Sequence, residues 1–461
     1  RLGYVAQTLN SNDSQYGFTE LGGDRRALSV REPSRNDFDG GSATLSGDLG
    51  WARLKIDSAV QSHDLARRYD ATLAAADFGG AGPTAYDESD SIEAWVNEAT
   101  LSSRPDRRLR WLAGIFAASS VHDRHGLMAT VTPGASLYET VRQDRTREVA
   151  VYGQVSWALT DRLRITAGGR FFGLDVETRA SASQGDTPSD ALDADRQDSG
   201  FAPKFVAEYT LRDNVLLYLQ ASEGYRPGGF NAGAVLGRPY GEEDGPQPHR
   251  RFRSDELVNY EAGARVHMLD DALALRLTLF RIDWRSIQSD RIGTDGLPFT
   301  GNIGNAENLG LEAEAAWIGG PWRLDANFTF QDPDLDAPDP GFPLPAERDL
   351  SGISNFTANL ALRRSFTVAS WPAWVSGSLG HLSPSDLTFS STQSSAMGDY
   401  WTSNLAMGME GPTWTLSARI DNPLGQRGDT FAYGNPFLVG RVDVTTPQRP
   451  PSLAIQISRR F

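Results

Sequence analysis

Apolar and polar residues alternate up to the last position of this chain, and this alternation is the feature that most limits its fold. In the final segment Leu453, Ile455, Ile457 and Phe461 share one face of an extended strand, while mostly polar or small residues share the other. A last strand that ends on an aromatic residue is typical of a bacterial outer-membrane β-barrel, which closes on its first strand. The sequence therefore predicts that Phe461 serves barrel closure and assembly.

Similar amphipathic segments occur in pairs along the chain. Each pair is joined by a turn of two or three residues, and longer stretches rich in Asp, Gly, Pro and Ser separate the pairs. This alternation of short and long connections predicts short periplasmic turns and long extracellular loops. The predicted turns lie at residues 48–50, 105–107, 161–162, 212–213, 270–271, 320–321, 369–370 and 411–412. The predicted loops lie at residues 63–90, 123–146, 181–200, 228–255, 290–308, 333–354, 383–400 and 425–451.

The number of these segments sets the expected size of the barrel. Three further strands are predicted before residue 40, at residues 2–9, 15–21 and 25–31. The total is about 20–22 strands, near the roughly 22 strands of plugged outer-membrane transporters. We expect an all-β fold, in which residues 1–461 form a single domain that is a large antiparallel transmembrane β-barrel.

Composition excludes several other classes of protein. The chain has no run of about 18 consecutive apolar residues, so a transmembrane helix is excluded. The net charge of -15 argues against a nucleic-acid partner. Cysteine is absent, which excludes disulfides and thiolate metal sites. No catalytic motif occurs, and we expect neither an enzyme nor a cofactor.

Tryptophan gives a second indication of a membrane protein, because eight of the 11 tryptophans lie within a few residues of a predicted short turn. Indole rings prefer the membrane–water interface, so these residues are predicted to form a periplasmic aromatic girdle. The alternative is tryptophan in the cores of soluble hairpins, but such tryptophans have no reason to favour one end of each hairpin. The predicted girdle consists of Trp51, Trp111, Trp157, Trp317, Trp322, Trp371, Trp374 and Trp414.

Several short motifs resemble those in the barrel of TonB-dependent receptors. They occur in the same order as in that family and cover most of the chain from about residue 90 to the C-terminus. The longest motif is SEGYRPGGFN at residues 222–231. The others lie at residues 111–116, 203–205, 260–263, 302–306, 310–314 and 419–424. The resemblance implies a barrel in the bacterial outer membrane that takes up a scarce ligand, such as an iron chelate (a siderophore), with its extracellular loops.

The resemblance also implies partners. Outer-membrane lipid and lipopolysaccharide would surround the barrel, and the TonB complex would supply energy through an N-terminal plug domain inside it. No plug is found in this sequence, since residues 1–39 are too few for one and are predicted as strands. The alternative is therefore a plugless barrel that acts as a structural or docking subunit alongside other outer-membrane subunits. A passive pore is a third possibility.

Four residues are candidates for contact with the ligand. Tyr225, Arg226, Phe230 and Asn231 lie where a predicted strand enters a long loop. Aromatic and arginine side chains supply most of the contact energy at recognition sites. We predict that these four residues bind the ligand. The alternative is an interfacial aromatic anchor followed by a structural turn.

Two histidines are weaker candidates for a metal ion. His122 and His125 lie three residues apart at the start of a predicted loop, and imidazole is a common ligand of transition metals. The chain has only six histidines, and no third ligand accompanies this pair. An incidental polar loop is the favoured interpretation.

Overall fold

The computed structural model describes residues 1–105, 107–231, 250–293, 295–339, 342, 349–387, 396–430 and 434–459. These residues form a large antiparallel sheet of 18 strands, in which each strand pairs with the next one along the chain. The prediction of an all-β fold is confirmed. Among the described residues, no helix is both long and apolar enough to cross a membrane.

Most of the strands are longer than a membrane requires, up to 26 residues against the roughly 9–11 of a transmembrane strand. They therefore extend well beyond the lipid. The strands are β1 Leu2–Ser11, β2 Ser34–Asp48, β3 Ala52–Asp70, β4 Thr84–Ser103, β5 Leu109–Thr130, β6 Ser136–Ala158, β7 Leu163–Gln184, β8 Thr187–Arg212, β9 Val215–Arg226, β10 Asp255–Met268, β11 Leu273–Ile292, β12 Pro298–Gly319, β13 Trp322–Pro338, β14 Phe356–Val368, β15 Trp371–Leu382, β16 Tyr400–Glu410, β17 Trp414–Asp421 and β18 Ser452–Arg459.

The short turns lie where the sequence predicts them. Each predicted turn falls between two paired strands, from the β2–β3 connection to the β16–β17 connection. In the β14–β15 turn, Ala369 and Ser370 have φ angles of 48° and 74°. Positive φ at both central residues is the geometry that a tight two-residue hairpin needs. All these turns lie at one end of the sheet, here called the inner end.

The opposite end, here called the outer end, differs from the prediction. The loops predicted at residues 123–146 and 181–200 are largely strand, because β5 and β6 continue through the first and β7 and β8 through the second. Only a two-residue turn separates β7 from β8. These outer strand ends carry many charged and polar residues on both faces. Apolar–polar alternation cannot reveal a strand when both of its faces meet water.

The sheet has 18 strands rather than the 20–22 expected, and part of the difference lies in the N-terminal region. The strands predicted at residues 15–21 and 25–31 do not join the large sheet. Tyr16 and Phe18 are instead buried against Leu438 of the last loop. The apolar pattern of this region reflects packing against another loop, not against lipid.

The predicted closure of the last strand on the first is not observed in the part of the chain that the structure describes. There, β1 pairs only with β2, and β18 pairs only with β17. Phe461, to which closure was assigned, lies outside the described residues. Both β1 and β18 are therefore edge strands of the described sheet.

Alternation gives the sheet an apolar outward face and a polar inward face. On β6, Val149, Val151 and Trp157 are exposed on the outward face. On the opposite face of the same strand, Glu148 and Tyr152 point inward and bond to Arg170 of β7 and Glu98 of β4, respectively. The same division in the other strands produces the two solvent environments of a membrane barrel wall.

An apolar core lies across the outer end of the barrel. Phe437, in the loop between β17 and β18, is buried against Tyr86 of β4, with ring centroids 5.0 Å apart. The core also includes Phe78 of the β3–β4 loop and Leu297 of the β11–β12 loop. Loops from distant parts of the chain therefore meet over the mouth of the barrel. We call this core the outer cap; its buried members are Ala71, Ala74, Phe78, Tyr86, Met128, Leu137, Tyr138, Ala182, Leu297 and Phe437.

Replacing Phe437 with alanine is expected to loosen the outer cap. Truncating a buried phenylalanine costs about 3–5 kcal/mol, because apolar contacts are lost and a cavity remains. We expect faster trypsin cleavage after Arg441 in the same loop, measured on intact cells by mass spectrometry. Leu73→Ala, at an exposed position of the β3–β4 loop, is the matched control and should leave cleavage unchanged. Equal cleavage of the two variants would contradict the role given to Phe437.

Candidate functional site: the inward face and the outer mouth

Tyr225, the first of the predicted ligand residues, lies at the outer end of β9. Its Oη donates a hydrogen bond to Glu148 Oε1 of β6 at 2.8 Å. Its ring stacks on Phe172 of β7, with centroids 3.4 Å apart and planes 8° from parallel. Both partners belong to the inward face. Tyr225 therefore points into the barrel, where a ligand that enters from the outer end would meet it.

Arg226 is held by Asp255, Trp284 and the carbonyl oxygen of Gln288, and it remains accessible. Its Nε lies 3.0 Å from Oδ2 of the buried Asp255, and its guanidinium lies 5.4 Å from the ring centre of Trp284. The arginine side chain is nevertheless 51% exposed. A guanidinium oriented by a carboxylate and an indole can present its remaining N–H groups to anionic oxygen atoms.

Phe230 and Asn231 have structural environments. Phe230 is buried, and its carbonyl oxygen accepts a hydrogen bond from Arg142 Nη2 at 2.8 Å. Asn231 Nδ2 donates to the carbonyl of Thr300 at 2.7 Å, and Asn231 Oδ1 accepts from the Thr300 N–H at 3.0 Å. These contacts fasten the start of the β9–β10 loop to the inward face. The structural alternative fits these two residues better than direct ligand contact does.

Two glycines allow the chain to turn inward after β9. A Cβ on Gly228 would lie 2.5 Å from the carbonyl oxygen of Phe252, and a Cβ on Gly229 would lie 2.6 Å from the Phe252 ring. Only glycine permits so close an approach. The Gly-Gly pair in the motif at residues 222–231 is therefore explained by packing of the loop.

A cluster that sequence reasoning missed lies beside Tyr225. Arg170 Nη2 contacts Glu148 Oε1 at 2.5 Å, and its guanidinium lies 4.5 Å from the ring centre of Phe116. The neighbouring Tyr152 donates from Oη to Glu98 Oε1 at 2.6 Å. We call Phe116, Glu148, Tyr152, Arg170, Phe172 and Tyr225 the inward cluster. Its members come from four strands, and their only sequence signal is an aromatic or charged residue at an inward position.

His122 and His125 do not share a site. Both lie within β5 rather than in the predicted loop. Residues three apart on a strand point to opposite faces. His122 Nε2 lies 2.7 Å from Asp90 Oδ1, and His125 Nε2 lies 2.8 Å from Glu139 Oε1. In the part of the chain that the structure describes, no group of three or more His, Cys, Asp or Glu residues is placed to hold a metal ion.

The predicted girdle tryptophans lie near the inner end, and all but one lie on the outward face or in a short turn. Trp371 and Trp414, for example, pack edge to face with centroids 4.7 Å apart. Trp374 is the exception: it lies on the inward face, where the Arg363 guanidinium is 4.4 Å from its ring centre. Even-numbered residues of β15 point inward, so a position near a short turn does not by itself place a tryptophan on the outward face. Contact of the others with lipid headgroups stays a prediction.

A buried polar group of residues, here called the hub, joins three loops beside the outer cap. Asn435 is fully buried, and its Nδ2 donates to Glu32 Oε1 at 2.6 Å and to the Asp70 carbonyl at 2.8 Å. Glu32 Oε1 also accepts from Tyr16 Oη and from the Asp70 N–H, each at 3.0 Å. Glu32 Oε2 faces Arg26 at 3.4 Å. The hub thus ties the N-terminal region to the β3–β4 loop and the last loop.

The hub holds an unusual carboxyl group. Burial raises the pKa of Glu32 above its ordinary value of 4.5, although the hydrogen bonds from Asp70, Tyr16 and Asn435 and the charge of Arg26 act in the opposite direction. Burial also raises the pKa of Tyr16, so its hydroxyl remains a donor at neutral pH. Protonation of Glu32 is therefore coupled to the arrangement of the loops at the mouth.

Together these features describe a surface suited to recognition. The inward face presents arginine–carboxylate pairs and aromatic rings, and the loops of the outer mouth are joined by the cap and the hub. Such side chains can bind an anionic or aromatic ligand, or the surface of a protein domain inside the barrel.

Comparison with known proteins agrees with this architecture. The family model described as TonB dependent receptor-like, beta-barrel, matches residues 2–422. The pesticin receptor of Yersinia enterocolitica serotype O:8 / biotype 1B is 28% identical over 180 residues, which are 39% of this chain and 25% of that protein. The pesticin receptor of Yersinia pestis is 27% identical over 180 residues, again 25% of that protein. The matched part of the chain thus spans about a quarter of the length of these curated relatives.

Solved structures show the same fold. The ferric yersiniabactin uptake receptor FyuA from Yersinia pestis superposes with a TM-score of 0.83 at 18% identity, covering 99% of this chain and 67% of that one. The siderophore receptor PiuA from Acinetobacter baumannii gives a TM-score of 0.74 at 13% identity, covering 99% of this chain and 71% of that one. At these identities the likeness concerns the fold.

The raised pKa of Glu32 predicts that the hub weakens as the pH rises. The folded hub binds the proton more tightly than the open loops do. Glu32 therefore stabilises the hub most below about pH 4.5, and this contribution is lost as the pH rises through the raised pKa. We expect the opening free energy of residues 434–442, measured by hydrogen exchange, to fall over this range in the natural protein and to change less in Glu32→Gln.

The control for this prediction is Glu20→Gln, at an exposed position in the same N-terminal region. It should retain the pH dependence of the natural protein. If Glu32→Gln and the natural protein show the same pH dependence, the coupling between Glu32 and the hub is refuted.

Proposed function

The chain belongs to the TonB-dependent receptor family, and from this we propose that it forms the barrel wall of a transporter that takes up an iron chelate. Members of the family are outer-membrane β-barrel proteins of Gram-negative bacteria, and the barrel described above lies in that membrane. They are transport receptors rather than enzymes. The family match over most of the chain is the observation that carries the proposal.

The names of related proteins guide the choice of ligand. Two of the solved structures are receptors for ferric yersiniabactin and for a siderophore. Both are barrels that this chain follows over nearly its whole length. An iron chelate is therefore the ligand class that we propose for this chain.

Arg226 and Tyr225 support a ligand of this class. Iron chelators bind the metal through oxygen-rich, often anionic or aromatic groups. The guanidinium of Arg226 is oriented by Asp255 and Trp284 and remains half exposed. Tyr225, the preceding residue, stacks on Phe172 of the inward face. An oriented arginine next to aromatic rings suits the recognition of such a ligand.

The outer cap argues against a permanently open pore. Phe437 and the other buried side chains of the cap join several loops across the outer end. A passive channel would need a wide aqueous path at this point. We propose instead that the ligand is captured at the outer mouth and that the loops rearrange when it passes.

We further propose that transport is powered by the TonB complex through a plug domain held inside the barrel. Near the inner end, a hollow of about 290 Å³ on the inward face is lined by charged side chains, among them Arg110, Arg164, Lys204, Glu208 and Glu261. A folded domain in the barrel would supply hydrogen-bond partners for these groups. Outer-membrane lipid and lipopolysaccharide would contact the outward face.

The proposal predicts energised uptake of iron. In its host grown without free iron, cells with the gene should accumulate radioactive iron from a ferric siderophore, with ferric yersiniabactin as the first probe. Deletion of the gene, or collapse of the proton gradient, should abolish this uptake. Uptake that persists after either treatment would contradict the proposal.

Arg226→Ala should raise the dissociation constant for the ferric chelate about 10-fold, or about 1.4 kcal/mol, because an oriented guanidinium is lost. The matched control is Arg281→Ala, since Arg281 is 52% exposed and paired with Asp283, but lies on the outward face. Titration of the purified protein by intrinsic fluorescence measures both variants. If both variants bind like the natural protein, Arg226 does not contact the ligand.

A further inference from the structure

One arginine of β14 lies within the apolar outward face of the wall. The outward positions of this strand are occupied by Leu360, Leu362, Arg364, Phe366 and Val368. Apart from the arginine, all of these side chains are apolar, and all are exposed. Arg364 is exposed as well, so its charge faces the same surroundings as the leucines and the phenylalanine.

Apolar and aromatic side chains also flank Arg364 on the two neighbouring strands. It pairs with Trp322 of β13 and with Val375 of β15. Its guanidinium lies 5.2 Å from the ring centre of Trp322. Leu362 precedes it toward the outer end, and Phe366 follows it toward the inner end. None of these four neighbours on the outward face carries a negative charge.

Other arginines of the wall have carboxylate partners. Arg281 lies 2.9 Å from Asp283, and Arg323 lies 2.7 Å from Asp325. In the part of the chain that the structure describes, Arg364 has no such partner, and its guanidinium contacts only the indole ring. A charge on a lipid-facing surface is costly unless water or an anion reaches it. A partner from outside the wall is therefore expected.

Arg364 lies at the level of the membrane surface. Trp322, with which it pairs, is the first residue of β13 and directly follows the inner-end turn at residues 320–321. Indole rings concentrate at the level of the lipid headgroups. The inner leaflet of a bacterial outer membrane consists of phospholipids, and their phosphate groups lie at this level. The guanidinium is thus at the height of these phosphates.

We propose that Arg364 and Trp322 bind the phosphate group of an anionic phospholipid, such as phosphatidylglycerol, in the inner leaflet. The planar guanidinium donates paired hydrogen bonds to phosphate oxygens. Toward the outer end, Leu324 and Leu362 pair on the outward face and offer an apolar surface to the acyl chains.

The surroundings of Arg364 also select the headgroup. The ammonium group of phosphatidylethanolamine needs an acceptor, and no carboxylate among the described residues pairs with Arg364 or adjoins it on this face. A headgroup with a net negative charge and no ammonium group fits better. The lipid site is independent of the proposed function, because it lies on the outward face and does not depend on which ligand is carried.

Native mass spectrometry of the full-length protein in detergent tests the proposal. The natural protein would be titrated with phosphatidylglycerol and, separately, with phosphatidylethanolamine. Arg364→Ala removes the guanidinium. Arg363→Ala is the matched control, because Arg363 is also exposed and lies 4.4 Å from the ring centre of Trp374, but faces inward. Thermal unfolding would be measured to compare the folding of both variants.

We expect Arg364→Ala to bind phosphatidylglycerol about 10-fold more weakly than the natural protein does, and Arg363→Ala to bind it equally well. The natural protein should prefer phosphatidylglycerol to phosphatidylethanolamine. Excess inorganic phosphate should leave the lipid bound, because the acyl chains contribute apolar contacts.

Unchanged binding of phosphatidylglycerol by Arg364→Ala would overturn the proposal, and so would equal affinity of the natural protein for the two lipids. The second comparison needs no variant, so it decides the matter even if Arg364→Ala does not fold. Displacement of the lipid by inorganic phosphate would assign the site to a free anion and overturn the proposal. A dimer of the natural protein that Arg364→Ala abolishes would place a second copy on this face, with the same consequence. Iron uptake enters none of these measurements, so the two proposals fail separately.

Discussion

Pairing of the peptide groups at membrane depth is the constraint on which the rest of this structure depends. Lipid offers no hydrogen-bond partners, so each strand must find them in a neighbouring strand. The 18-stranded antiparallel sheet meets this requirement everywhere except at β1 and β18. Side chains then face two environments, with Val149 and Trp157 on one side of β6 and Glu148 and Tyr152 on the other.

Beyond the lipid, the structure is held by different contacts. The outer cap and the hub join loops that are far apart in the sequence, and the bond between Asn435 and Glu32 spans 403 residues. Burial of Phe437 stabilises the mouth through apolar contacts. Burial of Glu32 disfavours the ionised form of its carboxyl group and so raises its pKa. The mouth is thus organised by a small core that is separate from the membrane wall.

The candidate site was only partly predictable from the sequence. Tyr225 and Arg226 were selected because they lie where a strand meets a loop, and both are accessible from the barrel interior or the outer mouth. Phe230 belongs to the same motif as Tyr225 and Arg226. It is nevertheless buried, because the Gly-Gly pair turns the chain inward. The inward cluster around Arg170 was missed because its members come from separate strands. Their proximity depends on strand register, which local sequence does not contain.

Alternation of side chains along each strand and the short turns determined the all-β class, the antiparallel hairpins and the two faces of the wall, since these follow from local geometry and solvent. Sequence alone also placed most of the tryptophans at the inner end. Only the tertiary structure decided that Trp374 faces inward, that residues 15–31 pack in a loop core, and that His122 and His125 lie on opposite faces of a strand. These outcomes depend on contacts between segments far apart in the chain, because burial against another loop leaves the same apolar signal as burial in lipid.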